Sequence, residues 1–280
     1  MQQQILGSNE ILAGYDAVSA LYTYIPSMSH WRAWEYAAYR RFRISGRILD
    51  VGCGDGQYFK LIWPEADDVV GIDMDAGVAE SGRQSGVYRR VHTAAAHGIT
   101  EPTCAFDHVF ANCSLEHMDH LDAVLAEIRR CLKPGGTLLC SVVTDRFLEW
   151  TPLPRIIELA GYPEAAATLR KQWTDFHHLA NPLPVAGWVQ RLEQAGLLTE
   201  THIPILPKFN SSAFLLMDGI WHVRQEGGGS LGDNIHSLLS NNPNFPAAFR
   251  KMLEGLLAME TDWQDCSGAV FLARKPGERA

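Results

Sequence analysis

No apolar run in this 280-residue sequence approaches the roughly 20 residues needed to cross a bilayer. The opening MQQQILGSNE lacks the basic start, apolar middle and small-residue cleavage site of a secretion signal. Basic residues are not in excess. Lys and Arg number 24 against 32 Asp and Glu, a formal charge of −8. That argues against a broad basic face, so no nucleic-acid partner is expected, although a local basic patch is compatible with it. The six cysteines (Cys53, Cys104, Cys113, Cys131, Cys140, Cys266) form no C-x-x-C pair, and four lie in or beside apolar stretches as buried thiols. There is no internal repeat and no low-complexity tract beyond QQQ and GGG. These absences leave a reduced, cytoplasmic enzyme as the simplest expectation. What the chain does have is 46% apolar residues, enough to build a full core in one large α/β domain or a core with additions.

The core is organised around Arg47–Gly56, RILDVGCGDG. The apolar run Ile48–Val51 reads as a buried strand, followed by Gly52, Gly54 and Gly56 and then a helix carrying Tyr58, Phe59, Leu61, Ile62 and Trp63. Further strands are expected at residues 69–73, 87–92, 106–111 and 137–143. Helices are expected near 76–84 and 120–132, the latter stopped by Lys133-Pro134-Gly135-Gly136. Strand and helix alternate over residues 47–143, the pattern of a parallel sheet with helices on both faces.

Two helices near residues 11–25 and 29–41, separated by Pro26, precede that core as an amphipathic cover or as an aromatic lid. Beyond Val143 come a helical, aromatic stretch to Asn181, a helix over 185–194 and a sixth strand over 197–205. An insertion with two helices follows over 206–262, with a flexible Glu226–Asn234 loop between them. A last strand covers 266–274, and KPGERA forms a frayed tail.

The glycine spacing bears on the ligand. A dinucleotide fold uses G-x-G-x-x-G, but Gln57 stands at the third position here. The loop is D-x-G-x-G-x-G, beginning at Asp50. A carboxylate beside the loop repels a pyrophosphate and suits an ammonium group, such as the amino end of S-adenosylmethionine (SAM). Asp73, roughly 20 residues after the glycines, is placed to accept ribose hydroxyls in either nucleotide family.

DVGCGDG, GIDMD, FDHVFANCSLEHM and LKPGGTLLCSVV, in that order, resemble the class I SAM-dependent methyltransferases, with the small-molecule group of ubiquinone and menaquinone methyltransferases nearest in the core. The resemblance covers residues 47–143 well, and 185–205 and 266–274 loosely. It implies an α/β, Rossmann-like, doubly wound sheet of seven strands, the last antiparallel, with N-terminal helices and helical insertions. Residues 1–280 would form one domain, comprising a cap (1–46), the SAM-binding core (47–143), substrate-side insertions (144–184 and 206–262) and the last strand (266–274). Asp50, Gly52, Cys53 and Gly54 would surround the methionine part of SAM. Asp73 would hold the ribose, with Met74 packing on adenine. Ala95, Ala96 and His97 would approach the adenine edge without the acid that many relatives carry there. Asn112 and Cys113 would lie near the sulfonium.

Methyl transfer from a sulfonium is an in-line displacement that needs alignment and a dry site, with a general base when the nucleophile is a hydroxyl or activated carbon. His117, His177 and His178 are the catalytic candidates. His117 is equally read as a loop-shaping residue. His120 is read as a helix start, and Cys113 with His117 and His120 lacks the spacing of a zinc motif, so no metal is expected. Asp145, Arg146, Glu149 and Trp150 are either substrate contacts or surface charge. Trp150, Trp173, Trp188 and Trp221 are core residues or, if two of them face the pocket, a sign of an apolar acceptor. The expected activity is methyl transfer to a small-molecule acceptor. The alternatives are a lipid- or glycan-linked acceptor, which the apolar Ala213–Trp221 segment leaves open, a non-catalytic SAM-binding protein, and a nicotinamide oxidoreductase.

Overall fold

The computed structural model describes residues 1–277, so the last three positions of the expected tail lie outside the described residues. The chain before them is not frayed at Lys275. Its backbone N–H donates to Gly136 and its Nζ to the Leu132 carbonyl at 2.6 Å.

Among the described residues eight strands run β1 (Gln2–Gln3), β2 (Ile48–Val51), β3 (Val69–Asp73), β4 (Arg90–Thr93), β5 (Phe106–Asn112), β6 (Leu132–Val143), β7 (Leu198–Pro207) and β8 (Cys266–Arg274). They form one sheet in the order β1-β7-β8-β6-β5-β2-β3-β4. Every pairing is parallel except those of β8 with β6 and β7. The last strand is therefore antiparallel as expected, but the sheet has eight strands rather than seven. The addition is β1, whose two residues extend the β7 edge. Polar Gln2 and Gln3 carry no strand periodicity, so sequence could not signal it.

The helices are α1 (Ser8–Val18), α2 (Pro26–Tyr39), α3 (Gln57–Ile62), α4 (Ala76–Gln84), α5 (Leu121–Cys131), α6 (Arg146–Glu149), α7 (Pro152–Leu159), α8 (Pro163–His177), α9 (Val185–Gln194), α10 (Lys208–Trp221), α11 (Leu231–Ser240) and α12 (Phe245–Ala258). Pro26 opens α2, where its missing N–H costs nothing. One sheet face carries a cluster that includes Trp34, Tyr39, Phe59, Trp63, Phe214 and Phe249, covered by α1–α4, α10 and α12. The other carries Leu125, Ile128, Trp188 and Leu192 from α5 and α9. Asp75 caps α4 by accepting from the Val78 N–H at 2.9 Å.

Several boundaries differ from the periodicity, among them α1, which ends at Val18, and β6, which begins at Leu132. The strand expected over 87–92 starts at Arg90, because Tyr88 turns inward to hydrogen-bond Asp50 and the Cys53 carbonyl. The 206–262 insertion contains three helices rather than two, divided by the Asn241–Asn244 turn before Pro246. Glu226–Asn234 is not a plain flexible loop. Gln225 N–H donates to Gly229, Arg224 bridges Ser230, and α11 begins within the segment at Leu231. The apolar stretch of α10 buries Phe214, Leu215 and Gly219 against the core, while Leu216, Met217 and Ile220 are half-buried. Among the described residues no helix is long and apolar enough to cross a membrane.

Candidate cofactor and active site

A cavity of about 500 Å³ opens at the carboxyl ends of β2, β3 and β5, within the range of small-ligand sites. Parallel strands expose their carboxyl ends on one edge, and β2 is flanked by β3 on one side and β5 on the other. Chain connections therefore diverge at β2 and leave a crevice. Gly52 lines one wall, followed by Ile72, Asp73 and Met74 from the end of β3 and by the Ala94–His97 turn. The loop after β5 supplies Cys113, Ser114 and residues 117–120, and His178 closes the rim from the end of α8.

Gly52 has φ +73°, and a Cβ there would meet the Ser114 Cβ at 2.6 Å. Gly54 has φ +58°, and a Cβ there would project into open space. The loop thus has to be glycine to turn and to lie against β5, and it leaves bare backbone for a ligand to approach. The Asp73 carboxylate braces this wall. Its Oδ2 accepts from the Gly54 N–H at 3.2 Å and its Oδ1 from the Asp75 N–H at 3.0 Å. Met74 is 79% exposed at the mouth. No lysine or arginine lines the cavity among the described residues, which suits a phosphate-free nucleoside with an amino acid tail and not a pyrophosphate. A carboxylate at the end of β3, a bare glycine wall and an apolar alanine turn fit the ribose, methionine and adenine parts of SAM.

Asp50, Cys53 and Asn112 lie behind that surface. Asp50 is buried and accepts from the Tyr88 hydroxyl at 2.7 Å, and burial raises its carboxyl pKa to about 7. Tyr88 is also 2.9 Å from the Cys53 carbonyl, so it ties β2 to the glycine loop. Asp50 does not line the cavity, and its carboxyl is engaged by Tyr88 beneath the glycine loop. Cys53 is buried against β3. Asn112 Oδ1 accepts from Tyr39 at 2.8 Å and from Ser141 at 3.1 Å.

The N-terminal helices act as a cover whose polar edge faces the carboxyl ends of β5 and β6. Glu35, fully buried on α2, accepts from Ser141 Oγ at 2.6 Å and from Cys113 Sγ at 2.9 Å, and it pairs with Arg32. Ser141 also receives the Cys113 N–H at 3.0 Å, fixing Cys113 at φ +44°. Glu35, Tyr39, Tyr88, Ser114 and Ser141 were not legible as site residues. The one sequence signal was a carboxylate on an otherwise aromatic helix face.

Of the three candidate histidines, the structure brings His117 and His178 to the cavity and turns His177 away. His177 Nε2 lies 2.9 Å from Asp218, to which Trp173 Nε1 also donates at 3.1 Å. His117 Nδ1 is 3.3 Å from the His178 carbonyl oxygen, which can only accept, so Nδ1 carries the proton and Nε2 the lone pair. Burial pushes the His117 pKa down, keeping it neutral near pH 7. His120 precedes α5 as expected. Cys113, His117 and His120 all line the cavity, but among the described residues they do not bring three ligand atoms together. Arg146 pairs with Asp265 at 3.0 Å and with Glu149, placing that group in a surface ion cluster. None of the four tryptophans lines the cavity; Trp188 is fully buried and donates to the Val143 carbonyl at 3.0 Å.

Glu116, next to His117, is fully buried, and neither carboxyl oxygen meets a donor in full hydrogen-bond geometry among the described residues. Burial raises its pKa to about 8, and the Glu35 charge adds to this against weaker pulls from backbone N–H groups and Arg32. The folded protein therefore holds this proton more tightly than the unfolded chain. The associated stability is complete below the ordinary carboxyl range near 4.5 and is lost as pH rises towards 8. Glu116→Gln should gain stability relative to the parent between pH 5 and 8, by at most about 1.4 kcal/mol per pH unit. Urea unfolding of both proteins across that range measures the difference. His30 and His202, pushed down to about 4 by burial, contribute the opposite slope to both proteins and cancel. A difference that does not change with pH would show that Glu116 is already ionised.

The comparisons agree with this geometry. The family described as "Methyltransferase domain" matches residues 49–140. A demethylmenaquinone methyltransferase from Symbiobacterium thermophilum is 31% identical over 50% of this chain, which spans 58% of that protein's length. The ubiquinone/menaquinone biosynthesis C-methyltransferase UbiE of Paraburkholderia phytofirmans is 28% identical over 68% of this chain and 82% of its own. A solved SAM-dependent methyltransferase from Thermotoga maritima shares the fold with a TM-score of 0.54 at 16% identity, covering 94% of this chain and 95% of its own. The ordered motifs, the sheet order with its antiparallel last strand, the glycine-walled cavity and these likenesses agree: residues 49–140 match the methyltransferase-domain family, and the chain is similar to the SAM-dependent methyltransferases.

Proposed function

We propose that the protein transfers a methyl group from SAM to a small-molecule acceptor. The observation that carries this is the cavity at the β2–β3–β5 edge, with the Asp73 carboxylate on one wall, bare glycine beside it and no lysine or arginine lining it among the described residues. The relatives' names, which cover demethylmenaquinone, ubiquinone intermediates and trans-aconitate, support a metabolite-sized acceptor. When bound, SAM supplies an electrophilic methyl on a good, neutral leaving group. In this reading Gly52 and Gly54 flank the methionine part, Asp73 holds the ribose, Met74, Ala95 and Ala96 cover adenine, and Cys113 and Asn112 fix the wall near the sulfur. Asp50 and Cys53 hold the loop from behind. The cap over residues 1–46 and the insertions over 144–184 and 206–262 enclose the acceptor within a single functional domain, in a cytoplasmic setting that suits six free thiols.

His117 is the proton acceptor in this scheme, through the Nε2 lone pair left by its Nδ1–H contact with His178. The test is release of S-adenosylhomocysteine on incubation with SAM and a panel of quinols, phenols and carboxylic acids. With an active acceptor, His117→Gln should lower kcat by about 100-fold or more while S-adenosylhomocysteine affinity stays within about twofold. Full kcat in that variant removes the base role. No calorimetric heat with either SAM or S-adenosylhomocysteine removes the cofactor reading itself.

A further inference from the structure

Away from the cofactor cavity, three side chains from two helices meet at one carboxylate oxygen. Asp218 and His222 lie one turn apart on the last turns of α10, and His177 is the last residue of α8. Asp218 Oδ2 lies 2.9 Å from His177 Nε2 and 3.5 Å from His222 Nδ1. Two ligand atoms about 2.1 Å from a tetrahedral ion stand about 3.4 Å apart, so these separations bracket the value for shared coordination. All three candidate ligand atoms lie within 4.8 Å of one another.

The surroundings are those of a metal site. Trp173 Nε1 donates to the same Oδ2 at 3.1 Å, the outer contact that orients a ligating carboxylate. Asp218 is buried, while the His177 and His222 side chains keep 16% and 18% exposure, which leaves an approach for an ion and for a water. Phe176 lies against the His222 ring, 3.9 Å between centroids at an interplanar angle of 32°. His222 Nδ1 donates to the Asp218 carbonyl at 2.9 Å, so an ion bound at that nitrogen takes the place of this proton and contact.

We propose that His177, Asp218 and His222 form a divalent-cation site, best matched to zinc by its two imidazoles and one carboxylate, with a fourth position open to water. The ion takes the place of the proton between His177 and Asp218 and cross-links α8 to α10. His178, the next residue, lines the cofactor cavity, so the cross-link anchors that rim. The expectation of no metal rested on the spacing of Cys113, His117 and His120; His177, Asp218 and His222 come from two separate insertions and form no motif in sequence.

The test uses the full chain, stripped with chelator and titrated with Zn(II) against a competing chelator, with metal content read by mass spectrometry. One zinc per chain is expected, together with a rise in melting temperature. Cobalt(II) should give the intense visible bands of a four-coordinate site. Asp218→Asn and His222→Gln should weaken zinc binding by about 100-fold or more, and Trp173→Phe by about 10-fold. The proposal is overturned if the native chain binds no zinc, or if His222→Gln binds it with unchanged affinity and stoichiometry, since the metal would then sit on surface histidines. Should Asp218→Asn fail to fold, His222→Gln carries the test alone, because its partly exposed ring replaces no core contact.

Discussion

Asp73→Ala is expected to weaken S-adenosylhomocysteine binding by about 100-fold or more, measured by calorimetry on the folded variant. A charged hydrogen bond contributes about 1.5–3 kcal/mol, and a carboxylate at the end of β3 can offer one oxygen to each ribose hydroxyl. The same oxygens hold the Gly54 and Asp75 N–H groups at 3.2 and 3.0 Å. Alanine therefore removes the brace that keeps the glycine wall against the cavity together with the proposed ribose contact. Some of the gain on binding goes to loosening that brace, which sets the expectation near the lower end for two such bonds. Asp73→Asn keeps the shape and one acceptor and should lose about 10-fold. A loss under about threefold in folded Asp73→Ala would mean that the ribose is held elsewhere and that the cavity wall does not depend on this residue.

The run from β2 to β6 could be read from sequence because β2, β3 and β5 are short, largely apolar and set between turns, whereas β4 buries only Val91 and β6 begins at Leu132, ahead of its apolar stretch. Ile48–Val51 and Val69–Asp73 are buried along nearly their whole length, and the helices between them carry one apolar stripe. Asp73, Gly52 and Cys113 were found for the same reason, since strand ends in a parallel sheet converge on one edge. Tyr88 was not, because its effect on the strand boundary comes from reaching Asp50, 38 positions earlier. The substrate side was opaque for a related reason. His177 and Asp218 meet across 41 positions, and Glu35 reaches Ser141 across 106, joining helices whose periodicity reports only which face is apolar. Asp50 is buried next to the end of β2 and does not line the cavity, its carboxyl meeting the Tyr88 hydroxyl instead.

Glu35→Ala should destabilise the protein by about 3–5 kcal/mol, the range for breaking a buried ion pair by removing one partner. The Arg32 guanidinium and the Cys113 thiol lose their acceptor at once, and the Ser141 hydroxyl is left with Asn112 Oδ1 at 3.1 Å. Arg32 already has its Nε buried without a partner among the described residues, so it cannot rebuild its contacts locally. Its guanidinium lies over the Tyr58 ring, 4.9 Å from the centroid, and the Tyr58 hydroxyl donates to the Arg32 carbonyl at 3.0 Å, so the side chain is enclosed on that side as well. Since a domain's total stability is about 5–15 kcal/mol, the variant is expected to unfold at a much lower urea concentration and to lose the N-terminal cover first. The pair itself need not be favourable against an apolar substitute, because taking both charges out of water is costly. Replacing both partners, as Arg32→Met with Glu35→Leu, should therefore recover most of the loss seen in Glu35→Ala. Chemical unfolding of the two single variants and the double variant separates the cases. Recovery identifies an uncompensated Arg32 charge as the source of the loss. A double variant as unstable as Glu35→Ala places the source instead in the Ser141 and Cys113 contacts that hold α2 to the ends of β5 and β6.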